Sequence, residues 1–192
     1  MESLTQKQKN AFNILKEKFG YTNALQVPKI TKVVVSVGTG RGMKSDKNRN
    51  QLVVDRLAKI TGQKGSIRGA KKSIATFKIR TGDPIGVMVT LRGTRMKSFF
   101  DKLINIALPR TKDFRGVNRS SVDETGNMTL GIREHTIFPE TPDEEIKDVF
   151  GLAITVGTTA KNREQAMAYF EYLGVPFKKE EEKKKRVTRK KK

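Results

Sequence analysis

The 192-residue chain has no cysteine and no tryptophan, and it has one histidine and three tyrosines. Without cysteine there can be no disulfide, no thiolate zinc site and no sulfur nucleophile. His135, in Arg133-Glu134-His135, has no second histidine or cysteine to complete a metal set or a nucleophilic triad. A structural role on the surface is expected of it, and neither a metal nor a cofactor is expected of the chain. Long apolar runs are also missing. Nothing approaches the roughly 18 residues needed to span a bilayer. The opening Met1-Glu2-Ser3-Leu4-Thr5-Gln6-Lys7 lacks the basic-then-apolar profile of a signal peptide. A cytoplasmic location follows as an expectation, and the sequons at Asn118 and Asn127 are read as chance matches.

Negative charge is the other scarce quantity. Forty Lys and Arg stand against twenty Asp and Glu, a net +20. Such a charge repels itself in a compact molecule, and a polyanion relieves it by releasing condensed counterions. Nucleic acid is the favoured partner, with an anionic membrane surface the competing one. Residues 178–192 hold ten basic and three acidic residues, with Val187 the only aliphatic one. They cannot bury a core, so a disordered tail is expected. It would be either a solubility tail or a phosphate-seeking arm. Positions 1–177 keep 30 basic against 17 acidic residues, still +13, and are read as a single RNA-binding domain.

Periodicity within that body alternates between helix and strand. Ser3 with Gln6 resembles a capping box ahead of a loose stripe of Leu4, Phe12, Leu15 and Phe19, closed by Gly20. Residues 30–37 read as a strand with Val33, Val35 and Val37 on one face. Residues 46–61 read as a helix capped by Asp46, with Leu52, Val53, Leu57 and Ile60 inward and Gly62 as its stop. A hairpin is expected from Ser73 to Gly93. Phe77 and Ile79 alternate with Lys78 and Arg80, the turn is Thr81-Gly82-Asp83-Pro84, and Ile85, Val87, Val89 and Leu91 share the next strand's apolar face. Met96, Phe99, Phe100, Leu103, Ile104 and Ala107 mark a helix over 95–108 that Pro109 should end. Turn formers fill Asp113 to Asn127, short strands are expected near 128–132 and 152–157, and a last helix over 162–173 turns Ala166, Phe170 and Leu173 inward. The order implies an α+β fold: an antiparallel or mixed sheet, helices packed on one face, the other face free, and a protruding basic hairpin.

The free face is where function is expected. Opposite the apolar sets lie Val34, Ser36 and Gly38 on one strand, and Gly86, Met88, Thr90 and Arg92 on another. Small, hydroxylated and basic residues suit close docking to a sugar–phosphate surface, although an ordinary solvated face has a similar pattern. Aromatic residues are few there, so recognition by shape, phosphate and 2′-hydroxyl fits better than base stacking. Gly38-Thr39-Gly40-Arg41-Gly42 follows a strand and precedes a helix, but it lacks the Gly-Lys-Ser/Thr ending of a nucleotide loop. Its backbone N–H groups could still meet an RNA phosphate. Lys64 to Arg80 contains six basic residues and no acidic one, and should project, either as an RNA-contacting element or as a mobile solvated loop. Arg110, Lys112, Arg115 and Arg119 surround Phe114. An aromatic among arginines can stack on RNA or anchor a protein, and the pattern does not choose between them.

Several stretches resemble one ribosomal family. They include Leu57-Ala58-Lys59-Ile60-Thr61-Gly62-Gln63, Ala70-Lys71-Lys72-Ser73-Ile74-Ala75, Phe77-Lys78-Ile79-Arg80 and Pro84 through Gly93. Ala107 through Gly116, Leu130-Gly131-Ile132-Arg133-Glu134, Ile137-Phe138-Pro139-Glu140 and Leu173-Gly174-Val175-Pro176-Phe177 continue the likeness. Together they resemble the bacterial form of the large-subunit ribosomal protein numbered five in the universal nomenclature, the family that carries 5S ribosomal RNA. The resemblance implies a non-catalytic structural role in the central protuberance. The implied partners are 5S and 23S rRNA, P-site transfer RNA, neighbouring large-subunit proteins and a head protein of the small subunit, with no membrane. It implies that the concave sheet face meets 5S rRNA, with Ser36, Gly38, Gln63 and Thr90 at the contact. Gly40, Arg68, Lys71, Lys72, Ser73 and Arg92 complete the expected 5S set. The hairpin carrying Ala75, Phe77, Lys78, Arg80 and Gly82 would reach the transfer RNA. Arg110, Asp113, Phe114 and Arg115 would face the small subunit. Ser36 stands where the family usually has Asn, and Ser66 and Arg68 replace an aliphatic residue and a Thr. The remaining readings are an RNA chaperone outside the ribosome and an enzyme acting on RNA, for which no carboxylate cluster is visible.

Overall fold

The computed structural model describes residues 4–40, 48–112, 114–141 and 148–178. The expected caps Ser3 and Asp46, the glycine-loop residues Arg41 and Gly42, Asp113, and tail residues 179–192 lie outside them.

Helix α1 (Leu4–Phe19) buries Leu4, Ala11 and Leu15 and half-buries Phe12 and Phe19. The Leu4 N–H donates to both carboxylate oxygens of Asp101, each at 3.1 Å. A side chain 97 residues away thus satisfies a first-turn N–H and sets a negative charge at the positive end of the helix. Strand β1 (Ile30–Gly38) follows, with Val33, Val35 and Val37 buried as their alternation requires. Helix α2 (Arg49–Thr61) starts later than expected. It turns Asn50, Val53, Val54, Leu57 and Ile60 inward, while Leu52 is only half-buried. Gly62, in the left-handed conformation (φ 69°), ends it and donates its N–H to the Ala58 carbonyl.

The expected hairpin is corrected in one respect. The partner of strand β3 (Pro84–Leu91) is not residues 73–80 but strand β2 (Ser66–Gly69), with Ser66 opposite Met88 and Ile67 opposite Val87. Residues 70–83 form a loop between them, containing a short 3₁₀ turn at Ala75–Phe77. Strand β2 was hidden because it lies at the sheet edge. Its one apolar residue, Ile67, is 47% exposed and leaves no alternation to read.

Helix α3 (Gly93–Lys102) continues through a π turn (Leu103–Ala107) into a last turn (Leu108–Arg110). Met96, Phe99, Phe100, Leu103 and Ala107 are buried and Ile104 packs against them. Pro109 sits inside that last turn instead of ending the helix before it. The Leu108 N–H reaches five residues back, to the Leu103 carbonyl. This widened turn moves the ladder just ahead of a residue that has no N–H to contribute. Strands β4 (Met128–Ile132) and β5 (Leu152–Thr158) and helix α4 (Arg163–Leu173) complete the chain. Ala166, Phe170 and Leu173 are buried in α4, joined by Tyr169. Burial pushes the Tyr169 phenol up to about 12, so it stays neutral while it accepts a hydrogen bond from Gln8 Nε2 at 3.2 Å.

The five strands form one antiparallel sheet in the order β2-β3-β1-β5-β4. Val33, Val35, Val87, Val89, Leu91, Leu130, Ile154 and Val156 point from it into one hydrophobic core shared with the helices. The chain is therefore α+β, as expected. His135 is not on the surface. It is fully buried, its ring stacked on Phe150 at 3.9 Å, with Nδ1 accepting the Phe150 N–H.

Candidate nucleic-acid interface

Antiparallel register places directly opposed residues on the same face of a sheet. Following the register across all five strands gives one row of Ser66, Met88, Ser36, Ala153 and Gly131 on the face away from the core. A second row is Thr90, Val34, Thr155 and Thr129, and a third is Arg68, Gly86 and Gly38. None of these side chains is buried. Four strand spacings make the face about 19 Å wide. No described residue in the three rows is aromatic, and the side chains are mostly small or hydroxylated.

Charge on this face is lopsided. Arg68 on β2, Arg92 just beyond β3 and Lys32 on β1 are exposed, whereas Ala153, Thr155 and Gly157 on β5 and Thr129 and Gly131 on β4 bring no charge. Gln63 joins the basic half: its Nε2 donates to the Thr90 carbonyl at 3.2 Å, fixing the side chain over the end of β3. The glycine loop after β1 is held from beneath. Thr39 is buried, its N–H donates to the Ile85 carbonyl at 2.8 Å and its hydroxyl to Asn50 Oδ1, while Asn50 Nδ2 donates to the Pro84 carbonyl at 3.0 Å. Gly38 stays exposed and Gly40 half-exposed above that clamp. Ser36, Gly38, Arg68 and Thr90 thus share one face of the sheet, with Arg92 just beyond β3 and Gln63 held at the end of that strand.

Lys71, Lys72 and Ser73 are not on the sheet face. They belong to loop 70–83 with Ala75, Phe77, Lys78, Arg80 and Gly82. Backbone bonds between Ala70 and Asp83, Gly82 and Ala70, and Ile74 and Ile79 hold the loop closed. The Ser73 hydroxyl accepts the Thr81 N–H at 2.9 Å, and Asp83 Oδ2 accepts the Arg80 N–H at 2.7 Å. Phe77 is 59% exposed on it and Ile74 45%. A second basic segment borders a cleft of about 930 Å³ beside β4, where Arg110, Lys112, Arg115, Arg133 and Lys178 outnumber Glu134. Phe114 is half-buried there against the core, and Arg110 and Arg115 are exposed.

The β4–β5 half of the face escaped the sequence reading. Thr129 and Gly131 alternate with the buried Met128, Leu130 and Ile132, so the signal was present in the two-residue period. The Asp123-to-Asn127 turn positions this half. The Asp123 carboxyl is pulled up by burial but held below its usual range by donors from Asn127 and Thr125. It accepts the Asn127 N–H at 2.7 Å. Asn127 Oδ1 in turn accepts the Thr158 N–H at 3.2 Å, and the Thr158 hydroxyl donates to the Gly126 carbonyl at 2.7 Å, locking β4 against β5.

Among the described residues no group of His, Cys, Asp or Glu could hold a metal ion, and no helix is long and apolar enough to cross a membrane. Residues 23–80 match the family described as ribosomal protein L5, and residues 84–177 match the model of the same ribosomal family's C-terminus. The large ribosomal subunit protein uL5 of Thermoanaerobacter sp. (strain X514) is 51% identical over 170 residues, 88% of this chain and 94% of its own length. Its counterpart in Microcystis aeruginosa is 50% identical over 163 residues, covering 85% and 90%. That of Chloroflexus aurantiacus is 48% identical over 170 residues, covering 88% and 94%. With half its residues shared over nearly the whole length of such relatives, and both halves of the family matched in order, the chain belongs to the family of large ribosomal subunit protein uL5.

Proposed function

We propose that the helix-free sheet face docks 5S rRNA and so carries it within the large subunit, where the family membership makes this chain a structural, non-enzymatic constituent. The observation that carries the reading is the face itself: three aligned rows of mostly small and hydroxyl side chains, free of aromatics, one row ending in Arg68, with Arg92 and Lys32 beside them. Low in relief, polar and basic along one side, it suits the shallow groove and backbone of a double-helical RNA, not splayed bases. Ser36, Gly38, Gln63, Thr90 and Arg92 make the contact, with Gly40 at its border. Loop 70–83 extends Ala75, Phe77, Lys78, Arg80 and Gly82 beyond the sheet, towards P-site transfer RNA, while Lys71, Lys72 and Ser73 near its start reach 5S rRNA from beside the sheet. The Arg110, Phe114 and Arg115 segment serves a small-subunit head protein. 23S rRNA and neighbouring large-subunit proteins take part of the remaining surface. Residues 1–177 act as one RNA-binding unit, and the lysine-rich segment after it adds non-specific attraction.

Filter binding to 5S rRNA tests the reading. Affinity should fall about 10³-fold between roughly 50 and 200 mM salt if six or more phosphates are touched. Thr90→Val should weaken binding by about 0.5–1.5 kcal/mol with circular dichroism unchanged. Val89→Asp, one residue away on the buried side, should unfold the protein by burying an unpaired charge. A flat salt response, or full affinity in Thr90→Val, overturns the assignment of the face.

A further inference from the structure

We infer that Thr129 and Thr155, on the uncharged half of the open face, form a subsite for a ribose 2′-hydroxyl and so make that half a determinant of RNA over DNA. The inference rests on the reading that the sheet face docks RNA, and it gives the β5–β4 half of that face a role of its own.

The chemistry follows from the pair. The two hydroxyl oxygens lie 3.2 Å apart across β4 and β5, so one donates to the other. Whichever donates, one O–H hydrogen and the lone pairs of the donating oxygen remain available. A 2′-hydroxyl both donates and accepts, so it can satisfy both at once. A phosphate oxygen only accepts, and it favours a site with a cation. The described residues on the open side of β4 and β5 include no Lys or Arg of their own; the cation beside them, Lys32 of β1, lies across Gly157 and not over the threonine pair's own row. A deoxyribose offers neither donor nor acceptor at that position.

Geometry supports a sugar there. Gly131 and Ala153, opposite each other in the adjacent row, leave the floor low beside the pair. A Cβ added at Gly131 would meet nothing within 4 Å. Thr155 lies two strands from Thr90 in the same row, about 10 Å away, with Val34 between them. The face then divides its work. Its β2–β3–β1 half carries Arg68, Arg92 and Lys32 for phosphates, and its β5–β4 half presents hydroxyls to the sugar edge. The bonds from Thr158 to Asn127 and Gly126 that lock β4 to β5 keep the two threonines opposed.

The test uses the full chain with 5S rRNA transcripts, unmodified or bearing single 2′-deoxy substitutions. Thr129→Val and Thr155→Val are expected to lower affinity for the unmodified RNA about three- to tenfold each. At one or two nucleotides, the penalty for 2′-deoxy substitution seen with the parent protein should vanish in Thr155→Val. A purely structural effect would weaken every transcript alike. Gly131→Val, whose Cβ enters open space, should retain the thermal midpoint and still weaken binding by holding the RNA off. If Thr129→Val, Thr155→Val and Gly131→Val bind 5S rRNA as the parent does while Thr90→Val loses affinity, this inference is overturned and the sheet-face reading stands. Full affinity in all four overturns both.

Discussion

The two basic segments lie beside opposite edges of the sheet and are held in opposite ways. Loop 70–83, between β2 and β3, is closed by bonds within itself, and its apolar residues Ile74 and Phe77 point outward. The segment after α3 is tied to the far end of the chain. The Val117 N–H donates to the Pro176 carbonyl at 2.7 Å, the Lys178 N–H donates to the Val117 carbonyl at 2.9 Å, and Phe114 and Phe177 pack against the core. The first loop is an appendage whose apolar tip, Ile74 and Phe77, is exposed for a partner. The second is part of the fold and presents only its cations. Charge counting treats the two alike, and bonding separates them.

Glycine substitutions should break the comparison most sharply. Both Gly116 (φ 98°) and Gly82 (φ 94°) use backbone that disfavours a side chain. A Cβ at Gly116 would also meet the Lys178 nitrogen at 2.9 Å and the Phe177 carbonyl carbon at 3.0 Å, whereas at Gly82 it meets nothing within 4 Å. Gly116→Ala should therefore cost about 3 kcal/mol, and Gly82→Ala about 1 kcal/mol, in urea unfolding. Equal losses would mean that the C-terminal stitch does not hold the second segment.

Aromatic truncation sharpens the same contrast. Phe114→Ala should lower stability by about 1–2 kcal/mol because it uncovers core surface. Phe77→Ala should stay within about 0.5 kcal/mol. Neutralising Lys78 and Arg80 should likewise spare both stability and 5S affinity. It should nevertheless speed P-site transfer RNA dissociation from reconstituted subunits, and an unchanged rate would reduce the loop to a solvated surface.

The smallest effect is expected at Lys78, whose φ of 52° is the one positive value at a non-glycine position among the described residues. Lys78→Gly removes the Cβ clash of the left-handed conformation but loosens the unfolded chain, so a gain of at most about 1 kcal/mol is expected in thermal melting. A loss instead would show that the lysine side chain itself holds the turn.

Much of this architecture was legible beforehand. Val33, Val35, Val37, Val87, Val89 and Leu91 revealed both central strands and their open face, because burial of one face imposes a two-residue period. Met96, Phe99, Phe100 and Leu103 marked α3 in the same way. Hidden were the features that depend on a distant partner: the Asp101 carboxylate at the start of α1, the burial of His135 against Phe150, and the stitch from Val117 to Pro176 and Lys178.

By itself the amino-acid sequence determined the charge, the absence of thiol chemistry, the elements with a strong period, and the family likeness. Tertiary structure alone decided that β3 pairs with Ser66–Gly69 and that β4 and β5 extend the open face. It also decided that Lys71, Lys72 and Ser73 stand on a loop away from that face. The physical reason is the range of the forces. Side-chain period reports only whether a residue meets core or water. The choice of partner strand rests on backbone hydrogen bonds between segments far apart in sequence, whose donors and acceptors are the same at every non-proline residue.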